Sequence, residues 1–200
     1  MAELYAIVGS LQRARFMLQG RVPYVQLRLK GQPLTPLESE IRELVRAFPA
    51  SKVVINDDLD FAVRVGAWGV HLGQEDLARY APETVRGAPV RVGISSHSDE
   101  EIARALSYQP ALLGFGPIYP TDTKALKHAP QGLERLRQVV SRIPLPIAAI
   151  GGIGEDTLEE VARTGVALVA MIGYLDRITR PDTLERLIRR LNAPGDDVQP

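Results

Sequence analysis

The sequence predicts an α/β protein that folds as one (β/α)8 barrel, the TIM barrel, and three observations support this prediction. Eight short apolar runs alternate with helical segments along the 200 residues. The runs are apolar almost throughout, which is typical of parallel strands that helices cover on both faces. Unusual polar residues follow several runs, and such barrels carry their active sites at the carboxyl ends of the strands. We therefore predict one catalytic domain over residues 1–192 and a flexible tail over residues 193–200.

The strands are predicted where branched aliphatic residues concentrate between turn residues. This criterion gives strands at residues 4–8, 24–28, 53–56, 69–72, 90–94, 112–116, 147–150 and 168–172. Helical segments are predicted at residues 11–19, 59–65, 133–141, 156–164 and 182–191. The connection between the fourth and fifth strands looks irregular, because residues 81–86 leave room for only a turn or two of helix.

Two further helix starts carry capping patterns. Thr35 precedes Pro36, and Glu38 follows three residues after Thr35, so the pattern predicts a helix with an N-cap threonine and proline at its first position. Ser98 and Glu101 have the same spacing and predict a second capping box.

Composition excludes several classes of function. The 24 basic and 24 acidic side chains cancel, so no excess charge favours nucleic acid or a membrane surface. The chain has no cysteine, which excludes disulfides, thiolate nucleophiles and cysteine metal ligands. It shows no signal-peptide pattern and no apolar stretch of the ~18 residues that a membrane helix needs. These observations predict a soluble cytoplasmic protein with no nucleic-acid or membrane partner. Assembly into a homo-oligomer is left open.

The most informative segment is residues 116–124, which reads GPIYPTDTK and follows an apolar run. Its two prolines fix φ and stiffen the loop before any ligand arrives. The hydroxyls of Thr121 and Thr123, backbone amides and the ammonium of Lys124 donate hydrogen bonds, as a phosphate requires. The segment therefore predicts an anion-binding loop. The simpler alternative is a polar loop with an exposed lysine.

Cations also follow the second predicted strand. Gln26, Arg28 and Lys30 alternate with apolar residues, so they are expected to point in the same direction. Together with Lys124, the two cations of this alternation would place three positive charges near the mouth of the barrel. Such a group suits a pyrophosphate or two phosphates. An internal salt bridge between Arg28 and Asp57 is the alternative for this region.

Carboxylates follow the next two strands. Asp57 and Asp76 are hard oxygen ligands, and two carboxylates plus substrate oxygens are a common arrangement around Mg²⁺. The alternative for Asp76 is a helix N-cap. His71 and His97, which end strands nearby, are predicted to be structural, and His128 is predicted to lie at the surface.

Glycines mark a second anion site. Gly151 and Gly152 open a helix after the seventh strand, and Gly173 follows the eighth. This pattern matches the phosphate site that such barrels often build after strands seven and eight. The alternative is a tight turn without a ligand. A substrate set with both a diphosphate and a separate monophosphate would use both sites.

Seven motifs, in order along nearly the whole chain, resemble thiamine phosphate synthase. The resemblance implies a (β/α)8 enzyme that joins hydroxymethylpyrimidine diphosphate to hydroxyethylthiazole phosphate and releases pyrophosphate, without a strong base or a covalent nucleophile. The motifs are VQLRLK at 25–30, IND at 55–57, GVHLGQED at 69–76, GISSH at 93–97, GPIYPTDTK at 116–124, APQG at 129–132 and AIGGI at 149–153.

The resemblance also implies roles for individual residues. It implies that Arg28, Lys30 and Lys124 act in catalysis by stabilising the diphosphate leaving group, and that Asp57 and Asp76 bind Mg²⁺. The pyrimidine diphosphate would be held by Gln26, Arg28, Lys30, Asn56, Ser95 and Lys124, and the thiazole phosphate by Thr121, Thr123, Gly152, Ile172 and Gly173.

Two other functions are compatible with the same barrel. One is the related thiazole tautomerase, which shifts a proton on a thiazole phosphate, tends to lack the paired carboxylates and carries histidine where this chain has Pro117. The other is a regulatory or phosphate-binding barrel without turnover. The chain departs from the synthase pattern at Gly173, where the family usually has serine, and places the bulky Tyr174 directly after it.

Overall fold

The computed structural model describes residues 1–121 and 129–192 as a closed barrel of eight parallel strands in chain order. The (β/α)8 prediction is confirmed. Thr123, Lys124, His128 and the predicted tail at residues 193–200 lie outside the described residues. The strands are β1 (Glu3–Val8), β2 (Tyr24–Leu27), β3 (Lys52–Asn56), β4 (Gly69–Leu72), β5 (Arg91–Ser96), β6 (Leu112–Phe115), β7 (Ile147–Ile150) and β8 (Leu168–Met171).

Helices follow the strands and cover the outside of the barrel. Two 3-10 turns, Thr35–Leu37 and Asp76–Arg79, precede the second and fourth of these helices. The helices of the described residues are α1 (Leu11–Gln19), α2 (Glu38–Ala47), α3 (Leu59–Val65), α4 (Pro82–Arg86), α5 (Asp99–Ser107), α6 (Gly132–Arg142), α7 (Leu158–Ala162), α8 (Gly173–Asp176) and α9 (Pro181–Asn192). The short α4 agrees with the predicted irregular connection between the fourth and fifth strands.

One predicted cap is wrong and the other is half right. Thr35 does not cap a helix, because it begins the 3-10 turn and α2 starts only at Glu38, without a side-chain cap. Ser98 does cap α5, since its hydroxyl accepts from the amide of Glu101 at 3.3 Å. The carboxylate of Glu101, however, accepts from the amide of His97 at 2.7 Å rather than from that of Ser98.

Strand alternation divides the core into two layers. Outward-facing residues such as Leu4, Ala6 and Val8 pack under the helices. Inward-facing residues fill the barrel axis with an apolar cluster, which consists of Tyr5, Ile7, Val54, Leu112, Ala148, Leu168 and Ala170. Polar side chains lie toward the carboxyl end of the axis, so a ligand site is expected at that end.

A buried histidine fills the axis where two neighbouring strands, β5 and β6, carry small residues. The ring of His71 lies against Gly93 and Gly114, where an added Cβ would lie 2.7 Å from its Nδ1 and 3.0 Å from its Nε2, respectively. Its Nε2 is 2.9 Å from the Oγ of Ser95. A side chain at either glycine would clash with the imidazole, so the two glycines make room for His71. This agrees with the prediction that His71 is structural.

None of the helices in the described part of the chain has both the length and the apolar character that spanning a bilayer requires.

Candidate active site

The turn after β3 places Asp57 at the mouth of the barrel in a left-handed backbone conformation, with φ 66°. Its amide donates to the carbonyl of His71 at 2.8 Å, while Asp58 already caps α3 by accepting from the amide of Phe61 at 2.8 Å. The chain thus leaves a strand and enters a helix within two residues. A non-glycine residue in this conformation costs on the order of 1–2 kcal/mol.

Asp76 faces Asp57 from the turn after β4. Its Oδ2 accepts from the amide of Gly73 at 2.8 Å, and its carboxylate lies close enough to Asp57 to raise the pKa of that residue. Asp76 is not a helix N-cap, which was the alternative to a metal ligand: Glu75 holds that position before the 3-10 turn and makes no side-chain cap. Two carboxylates from neighbouring strands are therefore in contact, as the sequence predicted.

Burial and the neighbouring carboxylate both disfavour the ionised form of Asp57. Burial, followed by the charge of Asp76, raises the pKa of Asp57 to about 6, whereas Arg28 and a hydrogen bond from Asn56 act in the opposite direction. Two oxygen ligands that repel each other fit a hard cation such as Mg²⁺. The described residues contain no group of three or more His, Asp or Glu side chains able to hold a metal ion, so substrate or water oxygens would complete the coordination.

Arg28 supplies positive charge beside the carboxylates. It directly follows β2, its amide donates to the carbonyl of Val8 at 2.9 Å, and its side chain is half-buried. Burial lowers the pKa of Arg28, and the charge of Asp57 partly offsets this effect. A guanidinium remains charged at neutral pH even so. Arg28 is thus a fixed cation at the site.

The other two members of the β2 alternation differ from Arg28 in their surroundings. Gln26 is buried, and its Nε2 donates to the hydroxyl of Tyr5 at 2.6 Å. Lys30 is exposed and lies past the end of the strand, because its amide turns back to the carbonyl of Arg28 at 3.0 Å. The alternation predicted from the sequence therefore applies inside the barrel and stops at the turn.

Ser95 is the next-to-last residue of β5, and His97 directly follows the strand. The contact of Ser95 with His71 places the serine hydroxyl at the upper end of the axis. His97 lies 2.9 Å through its Nδ1 from the carboxylate of Glu101, so it is held by α5 as a structural histidine. Asn56, the last residue of β3, directs its amide to Asp57.

The loop after β6 packs tightly onto the end of β7. The amides of Ile118 and Tyr119 donate to the carbonyls of Ile150 and Gly151 at 2.9 and 3.0 Å. Gly152 has φ 67°, and a Cβ there would lie 2.5 Å from the carbonyl oxygen of Pro120. Hydrogen bonds and close backbone packing hold this loop up to Thr121, the last residue described before residue 129. The two predicted anion sites are therefore adjacent.

The end of β8 brings Ile172 and Gly173 to the start of α8. Tyr174 turns its hydroxyl to the carboxylate of Glu155, which also contacts Arg186 at 3.0 Å. Arg190, which like Arg186 belongs to α9, contacts Glu155 at 3.1 Å. Tyr174 thus joins an ionic cluster around Glu155, and this cluster connects the loop after β7 to α9.

Arg79 is a site residue that the sequence prediction missed. Its Nη2 donates to Oδ1 of Asp76 at 2.7 Å and also to the backbone carbonyl of Asp57. The only sequence signal was its position three residues after Asp76, which brings two side chains together in a 3-10 turn.

The raised pKa of Asp57 gives the cation-free protein a specific pH dependence. The folded protein holds this proton more tightly than the unfolded chain, in which an aspartate has a pKa of about 3.9. The resulting stability is present below about pH 4 and is lost as the pH rises through about 6.

Asp57→Asn removes the charge, so we expect this variant to exceed wild-type stability by about 1 kcal/mol at about pH 8, a value reduced for partial solvent screening. The difference should disappear near pH 4. Urea denaturation at both pH values in the presence of a chelator measures it. An equal difference at both values would contradict the assignment.

Comparisons with known proteins agree with this geometry. The family model described as thiamine monophosphate synthase matches residues 4–175. A thiamine-phosphate synthase of Photorhabdus laumondii is 39% identical over 178 residues, covering 87% of this chain and 82% of the relative. One from Neisseria meningitidis is 35% identical over 192 residues, covering 94% of both. The solved thiamine phosphate pyrophosphorylase of Pyrococcus furiosus superposes with a TM-score of 0.77 at 28% identity, covering 96% of this chain and 97% of that one. The chain belongs to the thiamine monophosphate synthase family.

Proposed function

We propose that the protein condenses hydroxymethylpyrimidine diphosphate with hydroxyethylthiazole phosphate to give thiamine phosphate and pyrophosphate. Family membership supports this function. The observation that carries it to this chain is the contact between Asp57 and Asp76 with Arg28 beside them. Carboxylates and a cation at one strand end suit a metal-bound diphosphate. Mg²⁺ dependence is therefore part of the proposal.

The proposed chemistry requires charge stabilisation more than proton transfer. The carbon–oxygen bond to the diphosphate breaks, both electrons leave with pyrophosphate, and the thiazole nitrogen forms a new bond to the pyrimidine methylene carbon. Arg28, Lys30 and Lys124 stabilise the charge that develops on the leaving oxygen. Mg²⁺ held by Asp57 and Asp76 would supply further neutralisation when bound. No residue has to act as a strong base or as a covalent nucleophile.

The remaining predicted residues orient the two substrates. Gln26, Asn56 and Ser95 surround the carboxyl end of the axis, where the pyrimidine would lie. The thiazole phosphate would bind where the loop after β6 meets the ends of β7 and β8. Its contacts would come from Thr121, Thr123, Gly152, Ile172 and Gly173, of which Thr123 lies outside the described residues.

The paired carboxylates favour the synthase over the tautomerase. A proton shift on a monophosphate creates no diphosphate charge. Two adjacent carboxylates that bind a metal ion would therefore have no role in that reaction. Pro117 also occupies the position at which the tautomerase carries histidine. We further propose a cytoplasmic location, because phosphorylated substrates are charged and do not cross a membrane unaided.

The test is incubation of the purified protein with both substrates and Mg²⁺. We expect thiamine phosphate and pyrophosphate to form in equal amounts, and a chelator to stop the reaction. Chromatography of the products measures both. The proposal fails if a folded protein forms neither product while a characterised synthase does so under the same conditions.

Binding of Mg²⁺ and pyrophosphate is expected to be coupled. Two carboxylates leave open coordination positions for diphosphate oxygens, so pyrophosphate should tighten Mg²⁺ binding by at least about fivefold, the lower end of typical couplings between sites. Asp76→Asn should abolish this coupling and leave thiazole-phosphate binding nearly unchanged. Calorimetric titration of Mg²⁺ with and without pyrophosphate measures the effect. Equal affinities in the wild-type protein would rule out Asp57 and Asp76 as ligands.

A further inference from the structure

Arg79 contacts both residues of the Asp57–Asp76 pair at once, through the carboxylate of Asp76 and the backbone carbonyl of Asp57. It ends the 3-10 turn that Asp76 begins, and in such a turn side chains three residues apart lie one above the other. Its Nη2 donates to Oδ1 of Asp76 at 2.7 Å and to the backbone carbonyl of Asp57. The guanidinium of Arg79 therefore adds a second positive charge beside the pair. It comes from the turn after β4, whereas Arg28 follows β2.

The two members of the Arg79–Asp76 ion pair differ in how firmly they are held. The side chain of Asp76 is 13% exposed and keeps its Oδ2 on the amide of Gly73, whereas the side chain of Arg79 is 51% exposed. The guanidinium also lies 5.4 Å from the ring centroid of Tyr80, whose hydroxyl accepts from the amide of Leu59. Arg79 can therefore leave Asp76 without disturbing the carboxylate, and solvated pairs of this kind are weak.

We propose that Arg79 is a displaceable counter-cation of the carboxylate pair, which lowers the affinity of the substrate-free site for a divalent cation. This inference rests on the proposed function, because it concerns the same Asp57–Asp76 site. Arg79 gives up its contact with Asp76 when a divalent cation takes that oxygen. The freed guanidinium then lies at the mouth of the barrel, where diphosphate oxygens are its natural partners.

Charge balance explains why such a residue is useful. With Arg28 and Arg79 both beside the pair, the substrate-free site is nearly neutral, so a divalent cation alone would leave it with excess positive charge. A diphosphate carries the compensating negative charge. Arg79 thus favours loading of the cation together with the diphosphate over loading of the cation by itself.

The test uses the full chain without substrate and the variants Arg79→Met and Arg79→Lys. Calorimetry measures the affinity for Mg²⁺ alone and for Mg²⁺ with pyrophosphate. We expect Arg79→Met to bind Mg²⁺ alone about two- to fivefold more tightly than wild type, the size of a solvated ion pair. The gain from pyrophosphate should shrink in the same variant, whereas Arg79→Lys, which keeps the charge, should stay close to wild type. Arg86→Met, at an exposed arginine of α4, is the matched control and should match wild type.

The outcomes separate this inference from the proposed function. Unchanged or weaker Mg²⁺ binding by Arg79→Met, with normal binding by the wild-type protein, overturns the role of Arg79 and leaves the metal site intact. Weaker binding would make Arg79 a support for the carboxylates rather than a competitor. A wild-type protein that binds Mg²⁺ in neither titration overturns the metal site and the inference together, whatever the product assay shows.

Discussion

Arg28→Met is expected to lower turnover by about 10²–10³-fold, the usual cost of removing one contact to a charge that develops in the transition state. Methionine keeps an unbranched apolar stem and removes the charge, so the fold should be retained. The physical reason is that Arg28 is half-buried beside Asp57, where a cation is less screened than at the surface. Steady-state kinetics with both substrates, with denaturation as a check of the fold, measures the effect.

The same reasoning extends to Lys124, which the proposed function assigns to the same diphosphate. Lys124→Ala should cause a loss of similar order with little effect on stability. Arg86→Met on α4 serves as the control for both variants, because it removes an exposed arginine that belongs to none of the seven motifs. Turnover of Arg28→Met or Lys124→Ala near the wild-type value would remove that residue from the catalytic set.

The fold could be predicted because its signals are local and repeated. Each strand carries its own apolar run, and β4 and β7 begin and end at the predicted residues. Strand ends elsewhere differ by one or two residues, since the hydrogen bonds of a neighbouring chain segment decide them. At the end of β2, for example, the amide of Lys30 turns back to Arg28 and ends the alternation.

The capping error has a similar cause. The spacing of Thr35 and Glu38 allows a capping box, but a short 3-10 turn can use the same residues and leave α2 to begin at Glu38. Propensity cannot distinguish the two, because the choice depends on how the loop after β2 packs. Ser98 follows the predicted pattern at its own hydroxyl, whereas the partner of Glu101 is decided by the position of His97.

The carboxylate pair was predictable from chain order alone, since neighbouring parallel strands end at the same side of a barrel. The detailed geometry of the site could not be predicted in the same way. The left-handed backbone of Asp57 arises from the short path between β3 and α3, and the contact of Arg79 depends on a 3-10 turn with no sequence marker. The position of Tyr174 likewise depends on Glu155, which lies in the loop after β7 and is itself held by Arg186 of α9. No local sequence pattern indicates these contacts.

Gly116→Ala is expected to lower the free energy of unfolding by about 3 kcal/mol or more, at or above the usual range for overpacking. A Cβ at this position would lie 2.0 Å from the carbonyl oxygen of Ile150, which is backbone and cannot move aside cheaply. The same oxygen accepts from the amide of Ile118 at 2.9 Å, so the substitution would also break a bond that holds the loop after β6.

Thiazole-phosphate affinity should fall in the same variant, because this loop and Gly152 are packed against each other. Gly9→Ala is the matched control: it lies just after β1, has no atom within 4 Å of an added Cβ, and should change stability by less than about 0.5 kcal/mol. Urea denaturation and calorimetric titration with the thiazole phosphate measure the two effects. If Gly116→Ala unfolds at the wild-type urea concentration, close packing on β7 does not shape this loop, and its binding geometry must come from the ligand instead.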